Sequence, residues 1–216
     1  MSNVLSIKNL SLYYSENLVL KELNLEIKEN EIVCIMGASG CGKSTFLKAL
    51  NGFLEECGGR YEGEILFKGE SIKTKDRIWL KRKMAMLFQD SKPFDLSIEK
   101  NLTYAMKFYE GKIKNKNERL KELLKSVNLY GEIGDNLKQP AKNLSGGQKQ
   151  RLCIARMLTT SPEILIFDEP CSSLDMKNML IIEELLLNLS KKYTIIIATH
   201  NLEQAKRLGG RIVRLG

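Results

Sequence analysis

Residues Gly37-Ala38-Ser39-Gly40-Cys41-Gly42-Lys43-Ser44 satisfy the spacing GxxxxGK[ST], between an apolar run, Ile32 to Met36, and a helical pattern that starts at Lys43. The residue types suit phosphate binding. Glycines let backbone N–H groups curl around an oxyanion without side-chain obstruction, and the following helix would aim its positive end at the same point. Lys43 would neutralise the β/γ oxygens of a nucleotide, and Ser44 would hold the Mg²⁺ bridging them, with Thr45 the lesser candidate. At average residue frequencies the spacing alone arises by chance in roughly one such chain in a hundred, before a flanking strand and helix are required.

Two further strand-like runs end in chemistry-bearing residues. Ile164 to Phe167 leads into Asp168-Glu169, and Tyr193 to Thr199 leads into His200, the single histidine of the chain. If the three runs pair in parallel, all three ends meet at one carboxyl edge, where open α/β sheets bind ligands. Asp168 then suits the Mg²⁺ shell and Glu169 the abstraction of a proton from an attacking water. Taken alone, an acidic pair before Pro170 is equally the polar start of a loop, and a lone histidine is more often structural.

The elements that must position these residues are legible in outline. Period-two alternation at Leu5, Ile7, then Leu10, Leu12, then Leu23, Leu25, Ile27 predicts half-buried antiparallel strands at the start. Strands are also expected at 64–68 and 84–88, and 98–126 reads mainly as helix. There Leu120, Leu123, Leu124 and Val127 form an apolar stripe opposite Lys114, Lys116, Arg119, Lys121 and Lys125, a basic face read as solvated. A helix over 178–189 and the strand beginning at 194 return the chain to strand–helix alternation, which implies parallel pairing. The expected fold is an α/β P-loop architecture in one domain over 1–216. Its core spans 1–92 and 159–216, with an N-terminal antiparallel region and a helical subdomain inserted at 93–158.

Composition sets the wider frame. The 216 residues suit one domain, and 43% apolar with 28% charged residues excludes a disordered or fibrous chain. A net charge of +8 favours polyanions: nucleotide phosphates, nucleic acid or an anionic surface. Five cysteines with no CxxC pair suit reduced thiols and a cytoplasmic setting. No run approaches the ~20 apolar residues of a membrane span, and the start from Met1 to Tyr14 has no secretion-signal pattern, so membrane association is expected through partners.

A second glycine-rich element, Leu144-Ser145-Gly146-Gly147-Gln148, precedes a helix running to about Leu158, and Ser145 or the free N–H groups there suit another anion. One nucleotide needs no second cradle in the same subunit. The pentapeptide matches the signature motif of ABC ATPases at every position, and the chain resembles that family from about Leu5 to its end. The resemblance implies that Ser145, Gly147 and Gln148 close in trans over ATP held by another subunit's phosphate loop, in a head-to-tail homodimer formed on ATP binding. It further implies that Tyr14 stacks on adenine, with Tyr13 as competitor. Gln89 becomes the Q-loop glutamine contacting Mg²⁺ and water, though alone it reads as a capping residue. Asp175 becomes the D-loop aspartate of Ser172-Ser173-Leu174-Asp175, and His200 the switch histidine. Cys171 stands where Thr is commoner, Asn30 where Gly usually precedes Glu31, and the ending at Gly216 lacks the C-terminal extension of many import ATPases.

The stretches 50–64, Pro93-Phe94 with Ser97-Ile98 and Asn101, and 182–201 look like the phosphate-importer ATPases. That similarity implies ATP hydrolysis with Mg²⁺, transmembrane permease partners and an indirect extracytoplasmic solute-binding protein. It places the chain at the cytoplasmic face of the membrane, with no nucleic acid partner. Importers of other oxyanions or polar solutes, and a soluble ABC ATPase acting on nucleic acid or ribosomes, are the alternatives. A permease helix is expected in a groove beside Gln89 and Asp90 to Asn101, with Phe94, Leu96 and Ile98 as exposed contacts, although packing within the subdomain accounts equally well for each of them.

Overall fold

A computed structural model describes residues 3–215; Met1, Ser2 and Gly216, on which the readings of the two chain ends partly fall, lie outside it. The chain opens with β1 (Asn3–Tyr14) and β2 (Asn17–Lys28), a long antiparallel hairpin. The jump in alternation from Ile7 to Leu10 is a bulge: Asn9 has φ 48°, the register shifts there, and the phase of the inward side chains resets. Next come β3 (Ile32–Met36), α1 (Lys43–Leu50), β4 (Gly59–Phe67), β5 (Glu70–Ser71), α2 (Arg77–Lys83) and β6 (Met84–Leu87). The helical stretch contains α3 (Ile98–Glu110), α4 (Lys116–Ser126), α5 (Tyr130–Ile133) and α6 (Gly146–Leu158). The chain finishes with β7 (Ile164–Asp168), α7 (Met176–Ser190), β8 (Thr194–Ala198), α8 (Leu202–Arg207) and β9 (Arg211–Arg214).

Two sheets result. One is antiparallel in the order β2-β1-β4-β5; the other has five parallel strands in the order β6-β7-β8-β3-β9. The expected antiparallel region and parallel core are both present. The strand expected at 64–68 begins earlier, at Gly59, because it pairs with the whole outer half of β1.

The central strands β7 and β8 are buried on both faces, and their side chains alternate between two cores. Ile164, Ile166, Ile196 and Ala198 face one core, shared with α1 and the antiparallel sheet. Leu165, Phe167, Ile195 and Ile197 face the other, shared with α6, α7 and the helical segment. The inserted helices therefore cover one face of the parallel sheet. Of the stripe on α4, Leu120, Leu124 and Val127 are buried in that second core and Leu123 packs at its edge, whereas Lys114, Lys121 and Lys125 are exposed.

Asn30 has φ 59°, a left-handed turn between β2 and β3, and its N–H donates to Thr194 Oγ1 at 3.0 Å. After glycine, asparagine tolerates this conformation best, which explains its presence at that turn. Among the described residues no helix is long and apolar enough to cross a membrane.

Burial of the α4 stripe has a measurable consequence. Leu124→Ala is expected to lower the unfolding free energy by about 2–5 kcal/mol through lost burial and a residual cavity, while Lys114→Ala stays within about 0.5 kcal/mol. Urea titration of both variants reads the difference; equal midpoints would contradict the packing of α4.

Candidate functional site

Parallel pairing brings the carboxyl ends of β3, β7 and β8 side by side, with β8 between the other two. Ser39, Gly40, Gly42, Lys43, Ser44, Thr45, Gln89, Glu169 and His200 line one cleft of about 450 Å³ at that edge. Residues 37–44 form the loop between β3 and α1. Gly42 caps α1 at φ 95°, a conformation costly for other residues, and a Cβ there would meet Val19 Cγ1 at 3.0 Å. With Gly42 at the cap, no side chain caps the first turn of α1, and its N–H groups remain available to an anion. Cys41 N–H donates to Ala38 O, tightening the loop.

Lys43 is buried and its ammonium donates to Gly37 O at 2.8 Å and Ala38 O at 2.9 Å. A cation is thus fixed across the glycine loop. Beneath it, Ser44 Oγ donates to Asp168 Oδ1 at 3.0 Å, a contact between residues 124 positions apart. Asp168 is 4% exposed; burial pushes its carboxyl above the usual range, against the Ser44 hydrogen bond, and neighbouring Glu169 adds to the upward shift. A hydroxyl and a desolvated carboxylate together fit a hard divalent cation, which would offset the cost of that buried charge. Among the described residues there is no cluster of three or more His, Cys, Asp or Glu that could hold a metal ion.

Glu169 follows with φ 49°, a left-handed backbone held by its N–H to Ala198 O at 3.0 Å. For glutamate this conformation is strained, and it turns the side chain from the strand end toward the cleft. Its Oε1 lies 2.8 Å from His200 Nδ1; the glutamate side chain is 12% exposed and the imidazole 69%. Glutamate and histidine thus form a pair. Gln89, just beyond β6, enters the same cleft.

The remaining sequence candidates stand apart. Ser145 caps α6 in a complete capping box: its Oγ accepts from Gln148 N–H, and Gln148 Oε1 accepts from Ser145 N–H. Gly147 approaches α7 so closely that a Cβ would lie 2.0 Å from Asn178 Oδ1. Asp175 caps α7 by accepting from Asn178 N–H at 2.8 Å. Tyr14 sits half-buried against the antiparallel core at the end of β1, while Arg60 covers the Tyr13 ring at 4.0 Å and the Tyr13 hydroxyl donates to Glu62. Of the three apolar residues expected exposed near Gln89, Phe94 and Leu96 are, but Ile98 is fully buried: it opens α3 on its inward face. Phe94 lies edge-on to Tyr104 and under Arg156.

Several positioning contacts have no local sequence signal. Buried Arg151 donates to Glu132 Oε1 at 2.6 Å and to Asn128 O, and Gln148 Nε2 donates to Glu132 Oε2 at 2.9 Å. These bonds hold the Glu132 carboxyl below its usual range, the Arg151 hydrogen bond outweighing the desolvation of a group that remains partly exposed. Glu132 therefore locks the start of α6 onto α5. Gln150 Nε2 donates to Pro170 O at 2.8 Å, joining α6 to the loop after Glu169. Glu132→Ala should destabilise the chain by about 1–3 kcal/mol, because Arg151 stays buried with one partner fewer. Nucleotide affinity of the 37–44 loop should not change; a thermal melt with a fluorescent-ATP titration separates the two, and a large loss of affinity would contradict the assignment.

The ABC transporter family model matches residues 20–172. The chain is 45% identical over 210 residues to phosphate import ATP-binding protein PstB 1 of Bacillus licheniformis, covering 95% of this chain and 81% of that protein. It is 42% identical over 212 residues to phosphate import ATP-binding protein PstB of Borreliella afzelii, covering 96% and 82%. Among solved structures, a bacterial Atm1-family ABC exporter with ATP bound superimposes with a TM-score of 0.81 at 26% identity, over 98% of this chain and 37% of that longer one. With a family model spanning most of its length and relatives at 42% and 45% identity that match 95–96% of it, the chain belongs to the ABC transporter family.

Proposed function

We propose that this protein is the ATP-hydrolysing subunit of an ABC importer for inorganic phosphate. The observation that carries the hydrolytic half is the single cleft shared by the glycine loop, Lys43, Ser44, Gln89, Glu169 and His200. The transport half rests on the relatives, which are phosphate import ATP-binding proteins at 45% and 42% identity.

In this reading ATP lies along residues 37–45, with loop N–H groups and Lys43 meeting its phosphates and the ring of Tyr14 against adenine. Ser44, Asp168 and Gln89 are the residues that would hold Mg²⁺, which when bound would supply neutralisation of phosphate charge. Glu169, its Oε1 engaged by His200, takes the proton of the attacking water on Oε2. Lys43 remains against the γ-phosphate as negative charge builds there.

Ser145, Gly147 and Gln148 lie on α6, outside the set of residues lining this cleft, so they serve the nucleotide of a second copy in a head-to-tail dimer, with Asp175 at the seam. Segment 93–158 acts as the helical subdomain. A permease helix docks in the neighbouring groove of about 340 Å³ lined by Phe53, Phe88, Phe94, Tyr104 and Arg156. This arrangement puts the chain at the inner face of the membrane through its permeases, with a solute-binding protein on the far side and no role for nucleic acid.

Glu169→Gln is expected to retain ATP binding while slowing turnover about 10²–10⁴-fold, the scale of a lost general base; Lys43→Ala loses binding as well. Near-normal hydrolysis in either variant would end the assignment.

The substrate is tested by reconstituting the chain with its permeases and binding protein in liposomes and following hydrolysis and uptake together. Phosphate should drive both. Stimulation by molybdate, tungstate or an amino acid instead would keep the transporter and refute phosphate. Stimulation by DNA or ribosomes, without permease association, would refute transport.

A further inference from the structure

His200 has an exposed imidazole, so what aims it is the backbone on either side, and that backbone is braced from behind by Gln204 on α8. Gln204 is 2% exposed. Its Oε1 accepts from Thr199 Oγ at 2.8 Å; Thr199 Oγ accepts from Asn201 N–H at 3.1 Å; Asn201 Oδ1 accepts from Gln204 N–H at 3.0 Å. The three bonds close a ring through both neighbours of His200.

The other end of the same amide reaches the second catalytic loop. Gln204 Nε2 has no hydrogen-bond partner, alone among buried side-chain nitrogen and oxygen atoms of the described residues. The group beside it is Cys171, two residues after Glu169, whose thiol meets the Gln204 side chain only weakly. Burial pushes that thiol up to about 12 against this contact, so it stays protonated, and neutral sulfur is a weak acceptor that leaves Nε2 without a hydrogen bond of normal length. One buried amide therefore lies between the loop bearing Glu169 and the loop bearing His200, the two side chains that meet at 2.8 Å.

We propose that Gln204 is a positioning residue for the Glu169–His200 pair, bracing the two loops against each other without touching the nucleotide. Two features make the brace consequential. Glu169 sits in a strained left-handed backbone that its surroundings must hold, and the His200 side chain has no hydrogen-bond partner other than Glu169 among the described residues. The unpaired Nε2 follows from sulfur standing where a hydroxyl would complete the bond. The inference rests on the hydrolytic roles proposed for Glu169 and His200.

Because His200 is the only histidine, its ring nitrogens can be observed directly by ¹⁵N-¹H NMR in the full chain without assignment. In mildly alkaline solution the unsubstituted protein should show the Nδ1–H tautomer, fixed by Glu169. Gln204→Leu should shift it to a mixture dominated by Nε2–H and lower kcat for Mg-ATP about tenfold, with KM within about twofold, the signature of lost transition-state positioning rather than lost binding. Gln204→Glu, which keeps an acceptor for Thr199, should restore both readouts. Cys171→Thr should raise the melting temperature by about 2–4 °C, the scale of one added hydrogen bond in a chain of this size.

A Leu variant with unchanged tautomer and kcat overturns the proposal. So does a Leu variant whose melting temperature, KM and kcat fall together with no rescue by Glu, since Gln204 would then serve folding alone. An unchanged or lower melting temperature for Cys171→Thr removes the account of the unpaired amide. If the unsubstituted chain hydrolyses no ATP, the proposed function fails, while the His200 spectrum still decides whether Gln204 positions the pair.

Discussion

Parallel hydrogen bonding of β7 to β8 and of β8 to β3 is the constraint from which the site follows. It aligns three carboxyl ends at one edge, so the glycine loop, the Asp168–Glu169 pair and His200 become neighbours although Gly37 and His200 stand 163 positions apart. The register is fixed because both faces of these strands are buried, and a slip of one residue would exchange the two cores. Ser44 Oγ to Asp168 and His200 Nδ1 to Glu169 are consequences of that register. Charge is then concentrated where it is hardest to solvate: Lys43 and Asp168 are both buried at this edge. Such groups are stable only when paired, or when a ligand supplies the missing partner.

How much of this was legible in the sequence depended on how local the signal was. The glycine loop and the apolar strands are local patterns that spacing alone identifies, whereas the terminal Asp-Glu and His acquire meaning only beside that loop and through the family resemblance. The bulge at Asn9 was visible as a break in alternation at Leu10, although nothing local gave its φ of 48°. α2, β5 and β9 have no clear pattern: α2 is short with a single buried residue, Leu80, β9 is short and mostly exposed, and β5 has two residues, so none carries a periodic apolar face. For Ile98 the expected exposure gives way to the alternative of packing within the helical segment, because it opens α3 on the inward face, and a single residue next to the loop around Pro93 carries no periodic signal to decide between the two.

Glu132, Arg151, Gln150 and Gln204 illustrate the larger gap. Each is an ordinary polar residue in a helix, and only the packing of helices onto one another or onto a strand-end loop gives it a partner: Glu132 with Arg151 across 19 positions, Gln150 with Pro170 across 20. Motifs name the groups that meet phosphate and water; they do not name the groups that hold those first groups still. That second set is encoded in the tertiary structure and leaves no spacing rule.

On the proposed reading these supporting contacts also decide how the signature helix communicates with the hydrolytic centre. α6 touches the loop after Glu169 through Gln150, and the start of α7 through the close approach of Gly147 to Asn178. The Asp175 cap fixes that end of α7, and Glu132 fixes the start of α6 against α5. A displacement of α6 imposed from the helical segment therefore cannot be absorbed at its first turn, because a methyl group at Gly147 would already collide and the capping box leaves Ser145 no alternative bond. On the same reading that displacement would be passed to Pro170, and so to the neighbouring backbone of Glu169, through the Gln150 bond. Glu169 follows directly, its left-handed backbone held between Ala198 O, which accepts its N–H, and Ser172 N–H, which donates to its carbonyl, so on this reading the position of the proposed base depends on where the helical segment sits.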